Sequence, residues 1–264
     1  MRVNELRGVL SAAKFTARNE GVKPVVSAAG LRVSNFLSEV FTPLGRARAG
    51  HAITSLRLNP PPSDLDCLID WTSKFKAVGI RIDPQQSHEE ILSLLKLVAS
   101  LKPRALLEIG SYLGGTLLLF AAVADTTAKV LSLDLYRNAT WKFPFYKSFA
   151  REAQSVELIP ANSHDSKARE EVLDILSGDL LDFLFIDGDH SYQGVKRDFE
   201  MYGNLVRDGG LIAFHDIVFS PYPGNEVNKF WNRIKNSYKF EEIVKRTSLE
   251  GRTQISGGIG ILYV

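Results

Sequence analysis

The sequence predicts an α/β domain built on a parallel, doubly wound sheet and preceded by a helical extension. Three observations carry this. From residue 87 onward, short apolar runs alternate with longer segments whose apolar residues recur at helical spacing, the pattern of strands joined by crossover helices. Several of these runs end on glycine, acidic or imidazole residues, at the strand ends where open α/β sheets bind their ligands. The stretch 181–216 holds one complete unit. Leu184, Phe185 and Ile186 lead into Asp187, Gly188, Asp189 and His190, a helix is expected over residues 194–202, and Leu211 to Phe214 lead into His215 and Asp216.

Taken in order, residues 1–75 differ in character from the rest. Up to residue 50 they hold Arg2, Arg7, Lys14, Arg18, Lys23, Arg32, Arg46 and Arg48 against Glu5, Glu20 and Glu39, so the segment is basic. Leu31, Phe36, Leu37, Val40, Phe41 and Leu44 suit a short amphipathic helix, and residues 59–63 (NPPPS) make a stiff, non-helical connector. This extension is expected to cap the main domain or to meet a partner subunit in a homo-oligomer. Residues 76–264 form the main domain. Ser87 followed by Glu90 is a capping-box signature, and Ile91, Leu94, Leu95, Leu97, Val98 and Leu101 give the helix behind it an apolar face until Pro103 stops it. Strands are expected at 105–109, 129–133 and 156–159, with helices from 116, near 146–153 and at 167–176. Beyond residue 216 a helix is expected over 227–237. Residues 240–244 and 259–263 then read as a hairpin-like pair of strands joined by a polar, glycine-containing connection.

At 264 residues, 45% hydrophobic and 23% charged, the composition is that of a folded globular protein rather than a disordered or fibrous one. A formal charge of +2 does not supply the concentrated basic face that nucleic acid requires, so no nucleic-acid partner is expected. Cys67 is the single cysteine. It excludes an internal disulfide or a cysteine-based zinc cluster and reads as a half-buried small apolar residue. No apolar run approaches the ~20 residues of a membrane span, and the first residues lack the apolar core of a secretory signal. The expected location is the cytoplasm.

The segment ALLEIGSYLGGTLLLF is a strand, a glycine turn and a helix. Gly110, Gly114 and Gly115, around Ser111, let the backbone approach a ligand, and the helix start beyond them offers free amide donors. Glu108 lies just inside the turn. Asp134 ends the next strand, where an acid can accept the ribose hydroxyls of an adenosine ligand. A nicotinamide cofactor would use such an acid too, but the G-x-G-x-x-G order is absent, and a carboxylate at Glu108 favours a cationic ligand over a pyrophosphate.

Here the chain resembles the class I S-adenosylmethionine-dependent methyltransferases, through LEIGSYLGGT, LSLDL, the turn ANSHD and DFLFIDGDHSYQGVKRDFE, over roughly residues 76–264. The resemblance implies a Rossmann-like seven-stranded sheet whose last strand runs antiparallel. It also implies that Glu108 and Gly110 hold the methionine end of the cofactor, Asp134 the ribose, and Asn162, Ser163 or His164 the adenine edge.

The acidic edge carries the expected chemistry. Asp187 and Asp189 end one strand and His215 and Asp216 the next; if these strands are neighbours, oxygen and nitrogen ligands converge beside the cofactor's methyl group, a candidate divalent-metal site for Mg²⁺ or, with His215, a transition metal. DGDHSY and GNEVNKFW also resemble a subgroup of small-molecule O-methyltransferases that includes macrocin-type and cephamycin-pathway enzymes. That likeness implies metal ligation by Asp187 and Asp216, with His215 standing where the subgroup has a second acid. Methyl transfer to oxygen needs an aligned acceptor and a base, for which Asp189 and His190 are the candidates. Gln85 and Gln86 are expected to reach the cofactor or acceptor, and the aromatics of TWKFPFY and the segment FSPYPGNE to lie over a small-molecule acceptor, a sugar or natural-product intermediate. The alternatives are a nicotinamide-dependent oxidoreductase and a non-catalytic cofactor-binding protein.

Overall fold

The computed structural model describes residues 42–135, 140–218, 223–249, 252–255 and 257–264. Helix α1 (Thr42–Leu58) opens the described chain; most of the amphipathic helix expected over residues 31–44 lies outside the described residues. After the proline-rich connector, α2 (Leu65–Lys74) is capped by Asp64, whose Oδ1 accepts from Cys67 N at 2.9 Å. Cys67 is exposed rather than half-buried. It sits on the solvent side of the first turn, while Leu68, Ile69 and Thr72 face inward.

A small antiparallel ladder, β1 (Lys76–Ala77) with β2 (Ile80–Arg81), leads to α3 (His88–Leu101). The expected capping box forms there, with Ser87 N donating to Glu90 Oε2 at 3.4 Å. Strands and helices then alternate: β3 (Ala105–Ile109), α4 (Gly115–Val123), β4 (Lys129–Asp134), α5 (Phe143–Lys147), β5 (Ser155–Pro160), α6 (Ser166–Leu176), β6 (Leu181–Ile186), α7 (Tyr192–Tyr202) and β7 (Val206–His215). Helix α8 (Val227–Ile234) precedes β8 (Lys239–Ile243), the hairpin β9 (Arg246–Leu249) and β10 (Arg252–Ile255), and β11 (Ile259–Tyr263).

The main sheet has seven strands in the order β5-β4-β3-β6-β7-β11-β8. The first five are parallel, and β11 runs antiparallel to both its neighbours. This is the doubly wound, mostly parallel sheet expected from the sequence. Alternation along the strands feeds two apolar layers. Leu106, Val130, Phe183, Phe185 and Ala213 join the cluster that takes in residues of α1 to α5. Leu107, Ile109, Leu131, Leu184 and Ile212 join the one that takes in α6, α7 and α8.

Three local differences from the sequence reading have physical causes. The helix expected near 146–153 begins earlier, as a 3₁₀ turn at Thr140–Lys142 followed by α5, and stops at Lys147. Pro144 stands at the helix start, where its missing N–H costs nothing, and Glu152 takes a left-handed φ of 50° that no helix interior allows. The connection between β8 and β11 forms a hairpin of its own. The aromatics of TWKFPFY are packing residues: Trp141, Phe145 and Tyr146 are buried in the first apolar layer, and α1 lies over them, with the Arg48 guanidinium 4.4 Å from the centre of the Trp141 ring. Residues 42–75 therefore share the core of the main domain through Ala49, Ala52, Leu56, Leu68 and Ile69. Among the described residues no helix is long and apolar enough to cross a membrane.

Candidate active site

The strand order reverses at β3, with β4 on one side and β6 on the other, so the crevice at the carboxyl ends of β3 and β6 is the topological switch point where such sheets bind ligands. Pairing continues past the strand ends. Gly110 N donates to Leu133 O and Asp187 N to Ile109 O, both at 2.9 Å. The glycine turn and the acidic turn are thereby locked side by side. Gly110 is required at this junction: its φ is +89°, and a Cβ there would stand 2.2 Å from Asp187 O.

The turn is braced from below. Glu108 is fully buried, and its two carboxyl oxygens take the hydroxyls of Ser111, at 2.5 Å, and of Thr116. Burial pushes this carboxyl up to about 8, against the opposing pull of those two hydroxyl bonds; Asp187 and Asp134 push in the same direction as burial. Glu108 thus shapes the turn through Ser111 and Thr116. Asp134 Oδ2 accepts from the backbone N–H groups of Ser111 at 2.8 Å and Tyr112 at 3.0 Å, tying the end of β4 to the same turn. Between this turn and residues 83–86 lies a cleft of about 220 Å³, open mouth included, lined by Gln86, Gly110, Ser111, Tyr112, Thr116 and Asp187 among others. It is smaller than the ~300–1,000 Å³ of a whole small-molecule site, so it suits one end of a ligand.

Beyond β5, Ser163 and His164 are drawn towards α7. His164 Nε2 stands 3.3 Å from Asp198 Oδ1, and the Tyr202 hydroxyl donates to Ser163 O at 2.7 Å. Burial pushes the Asp198 carboxyl up to about 6, opposed by Ser163 and His164. The turn after β5 is therefore anchored to the helix that follows the acidic turn.

The register of β6 and β7 brings Asp187, His215 and Asp216 together, as the sequence anticipated, and His190 joins them in place of Asp189. Asp187 Oδ1 lies 3.1 Å from His190 Nε2 and 3.2 Å from His215 Nδ1. His190 Nδ1 lies 3.2 Å from Asp216 Oδ2. Asp216 holds a left-handed φ of 62°, and Asn225 Nδ2 donates to its Oδ2 at 2.8 Å. Burial would raise Asp187, but the two histidines hold it below the usual carboxylate range. His190 is raised, chiefly by its bond to Asp187 and against burial. Burial lowers His215, yet Asp187, Asp216 and Glu90 together carry it up to about 9.

Asp189 is not brought to this cluster. Its Oδ1 accepts from Ser191 N at 2.9 Å, and its side chain packs where a Cβ on Gly194 would otherwise stand. The expected metal ligands Asp187, His215 and Asp216 satisfy one another and His190. Among the described residues no three His, Cys, Asp or Glu side chains are disposed to hold a metal ion; as arranged, this donor set does not fit one. Two contributors went unread in the sequence. Asn225, 9 residues beyond its partner Asp216, and Ser132, which pairs with Ser111 Oγ across 21 residues, make contacts that no local pattern signals.

Comparison with known proteins agrees with this geometry. Residues 107–217 match a family model described as a methyltransferase domain. Over 102 residues the chain is 39% identical to an uncharacterised protein of Acanthamoeba polyphaga mimivirus, a match covering 36% of this chain and 45% of that protein. Over 154 residues it is 27% identical to a probable caffeoyl-CoA O-methyltransferase 3 of Dictyostelium discoideum, covering 58% of each. The chain thus spans about half the length of these relatives. Its fold is similar to that of an O-methyltransferase from Bacillus cereus solved in complex with SAH, with a TM-score of 0.52 and 16% identity over 88% of this chain and 97% of that one. Residues 107–217 are thus similar to a methyltransferase domain, and the chain shares the fold of the solved O-methyltransferase.

Proposed function

We propose that this protein transfers a methyl group from S-adenosylmethionine to a hydroxyl oxygen of a small molecule, a sugar or natural-product intermediate, and that it belongs with the DGDHSY subgroup of O-methyltransferases. The observation that carries this reading is the locking of the glycine turn against Asp187 at the switch point, which sets that turn beside the His190 cluster. On this reading the Gly110–Gly114 turn with Ser111 receives the methionine end, Asp134 the ribose and residues 162–164 the adenine edge, while Glu108 keeps the turn in shape.

S-adenosylmethionine brings an electrophilic methyl group on its sulfonium, which the acceptor oxygen displaces in line. The chain supplies alignment and proton removal. His190 is the most exposed member of its cluster, with a side chain 37% accessible against 13% for Asp187, 10% for His215 and 19% for Asp216. Asp187 holds Nε2 and fixes the ring; Nδ1 takes the acceptor's proton in place of its contact with Asp216. Asp189, turned to Ser191 N, leaves His190 as the base. The basic first 75 residues are read as a cap on the acceptor side and as a surface for self-association; the packing of residues 42–75 on the main domain, with Arg48 over Trp141, supports the former.

The test is transfer of labelled methyl from S-adenosylmethionine to a panel of hydroxylated acceptors, with sugars and caffeoyl-CoA included, the latter because of the Dictyostelium relative's name. Transfer that persists in EDTA is expected, since no step here runs through a metal. Loss of transfer on chelation and its return with Mg²⁺ would restore Asp187, His215 and Asp216 as metal ligands.

A further inference from the structure

Gln86 ends the loop before α3 and is 8% exposed. Its Nε2 donates to Asp187 Oδ2 at 2.8 Å. A carboxylate paired with two histidines only accepts at this position, so the amide can face it in one orientation alone, nitrogen towards Asp187 and oxygen away. That oxygen, Oε1, is buried and has no hydrogen-bond partner among the described residues. Leaving a buried carbonyl oxygen unmatched is unfavourable, and a native side chain held so by a 2.8 Å bond on its other atom is poised for a donor that arrives from outside the chain. Gln86 lines the cleft together with Gly110, Ser111 and Asp187. Pro84, on the same wall, has no N–H to offer. This wall thus presents acceptors, an amide oxygen next to a carboxylate, and calls for a cationic donor.

We propose that Gln86 is a positioning and selectivity residue for the amino-acid end of the cofactor, its Oε1 accepting from the α-ammonium of the methionine moiety while its Nε2 holds Asp187 in place. The proposal rests on the S-adenosylmethionine reading above. It gives the 83–86 loop a role in cofactor choice. A ligand without an ammonium leaves Oε1 unmatched and gains nothing from this wall.

The experiment is calorimetric titration of the full chain and of Gln86→Met, which keeps the side chain's length and volume but removes both polar ends. Two ligands are compared: S-adenosylhomocysteine, and 5′-methylthioadenosine, which shares the nucleoside and thioether but lacks the amino-acid end. The expected result is a loss of about tenfold or more in affinity for S-adenosylhomocysteine, with the affinity for methylthioadenosine unchanged within about twofold. Gln86→Ala repeats the comparison should the methionine side chain disturb folding, with the urea midpoint of each variant as the control. Unchanged S-adenosylhomocysteine affinity overturns the proposal. So does an equal loss for both ligands, which would make Gln86 a packing residue, and so does an altered acceptor KM with cofactor affinity intact, which would assign Oε1 to the acceptor. Failure of the unmodified chain to bind S-adenosylhomocysteine at all would instead overturn the cofactor reading underneath.

Discussion

Replacing Gly110 by alanine tests the lock between the two turns, and Gly178 provides a matched control. The two glycines have nearly the same backbone, φ +89° and +91°, but a Cβ on Gly110 would meet Asp187 O at 2.2 Å and Asp187 C at 2.6 Å, whereas one on Gly178 meets nothing within 4 Å. The left-handed backbone alone costs an L-residue about 1–2 kcal/mol. Parting two hydrogen-bonded strand ends to admit a methyl group adds about 1–3 kcal/mol, the usual range for overpacking. Gly178→Ala should therefore lose about 1–2 kcal/mol and Gly110→Ala about 2–5 kcal/mol. At a urea dependence of about 1–3 kcal/mol per molar, that difference moves the midpoint of unfolding by roughly 1 M between the two variants. Because the Gly110 turn borders the cleft, S-adenosylhomocysteine affinity should fall by roughly tenfold or more in Gly110→Ala and stay unchanged in Gly178→Ala. Equal midpoints and equal affinities in the two variants would refute the contact between Gly110 and Asp187 as the feature that shapes the site.

Three further outcomes follow from the same geometry. Asp134→Ala removes the acceptor of two turn amides and of the proposed ribose hydroxyls, and S-adenosylhomocysteine titration should show at least about a tenfold loss. Because the bond to Asp187 raises His190, kcat/KM for methyl transfer should rise with pH through a midpoint above the ordinary histidine value of about 6.5, and Asp187→Asn should move that midpoint down. His215 is raised to about 9 in the folded chain; a raised base contributes stability in full below its unfolded value of about 6.5 and loses it as pH rises through the folded one. The urea midpoint should therefore decline between about pH 6.5 and 9, and His215→Gln should flatten that decline.

Much of the fold was legible because it is written in local periodicity. The apolar face from Ile91 to Leu101, bounded by the Ser87–Glu90 box and Pro103, gave α3 close to its true limits, and the two strands ending at Asp187 and His215 were found from their apolar runs alone. The site was legible to the extent that it hangs on strand ends: once β6 and β7 are neighbours, Asp187, His215 and Asp216 must meet. What failed is what depends on distant partners or on backbone choices within a turn. Asp189 has the same residue type and nearly the same position as Asp187, yet its carboxylate closes a local turn on Ser191 N, a choice that spacing does not reveal. Gln86 was read as reaching the cofactor or acceptor from its place ahead of a helix, but its bond to Asp187, 101 residues away, was not legible. The short helix at Phe143–Lys147 was misplaced because its 5 residues, with only Phe145 and Tyr146 buried, are too few to set a period.

The central claim is that the crevice between β3 and β6 is a site for S-adenosylmethionine rather than for a nicotinamide cofactor. Calorimetric titration of the full chain with S-adenosylhomocysteine and, separately, with NAD⁺ tests it most directly. One S-adenosylhomocysteine should bind per chain, with affinity lost in Asp134→Ala, and NAD⁺ should give no heat of binding. Saturable binding of NAD⁺, or of S-adenosylhomocysteine with an affinity indifferent to Asp134, would contradict the account.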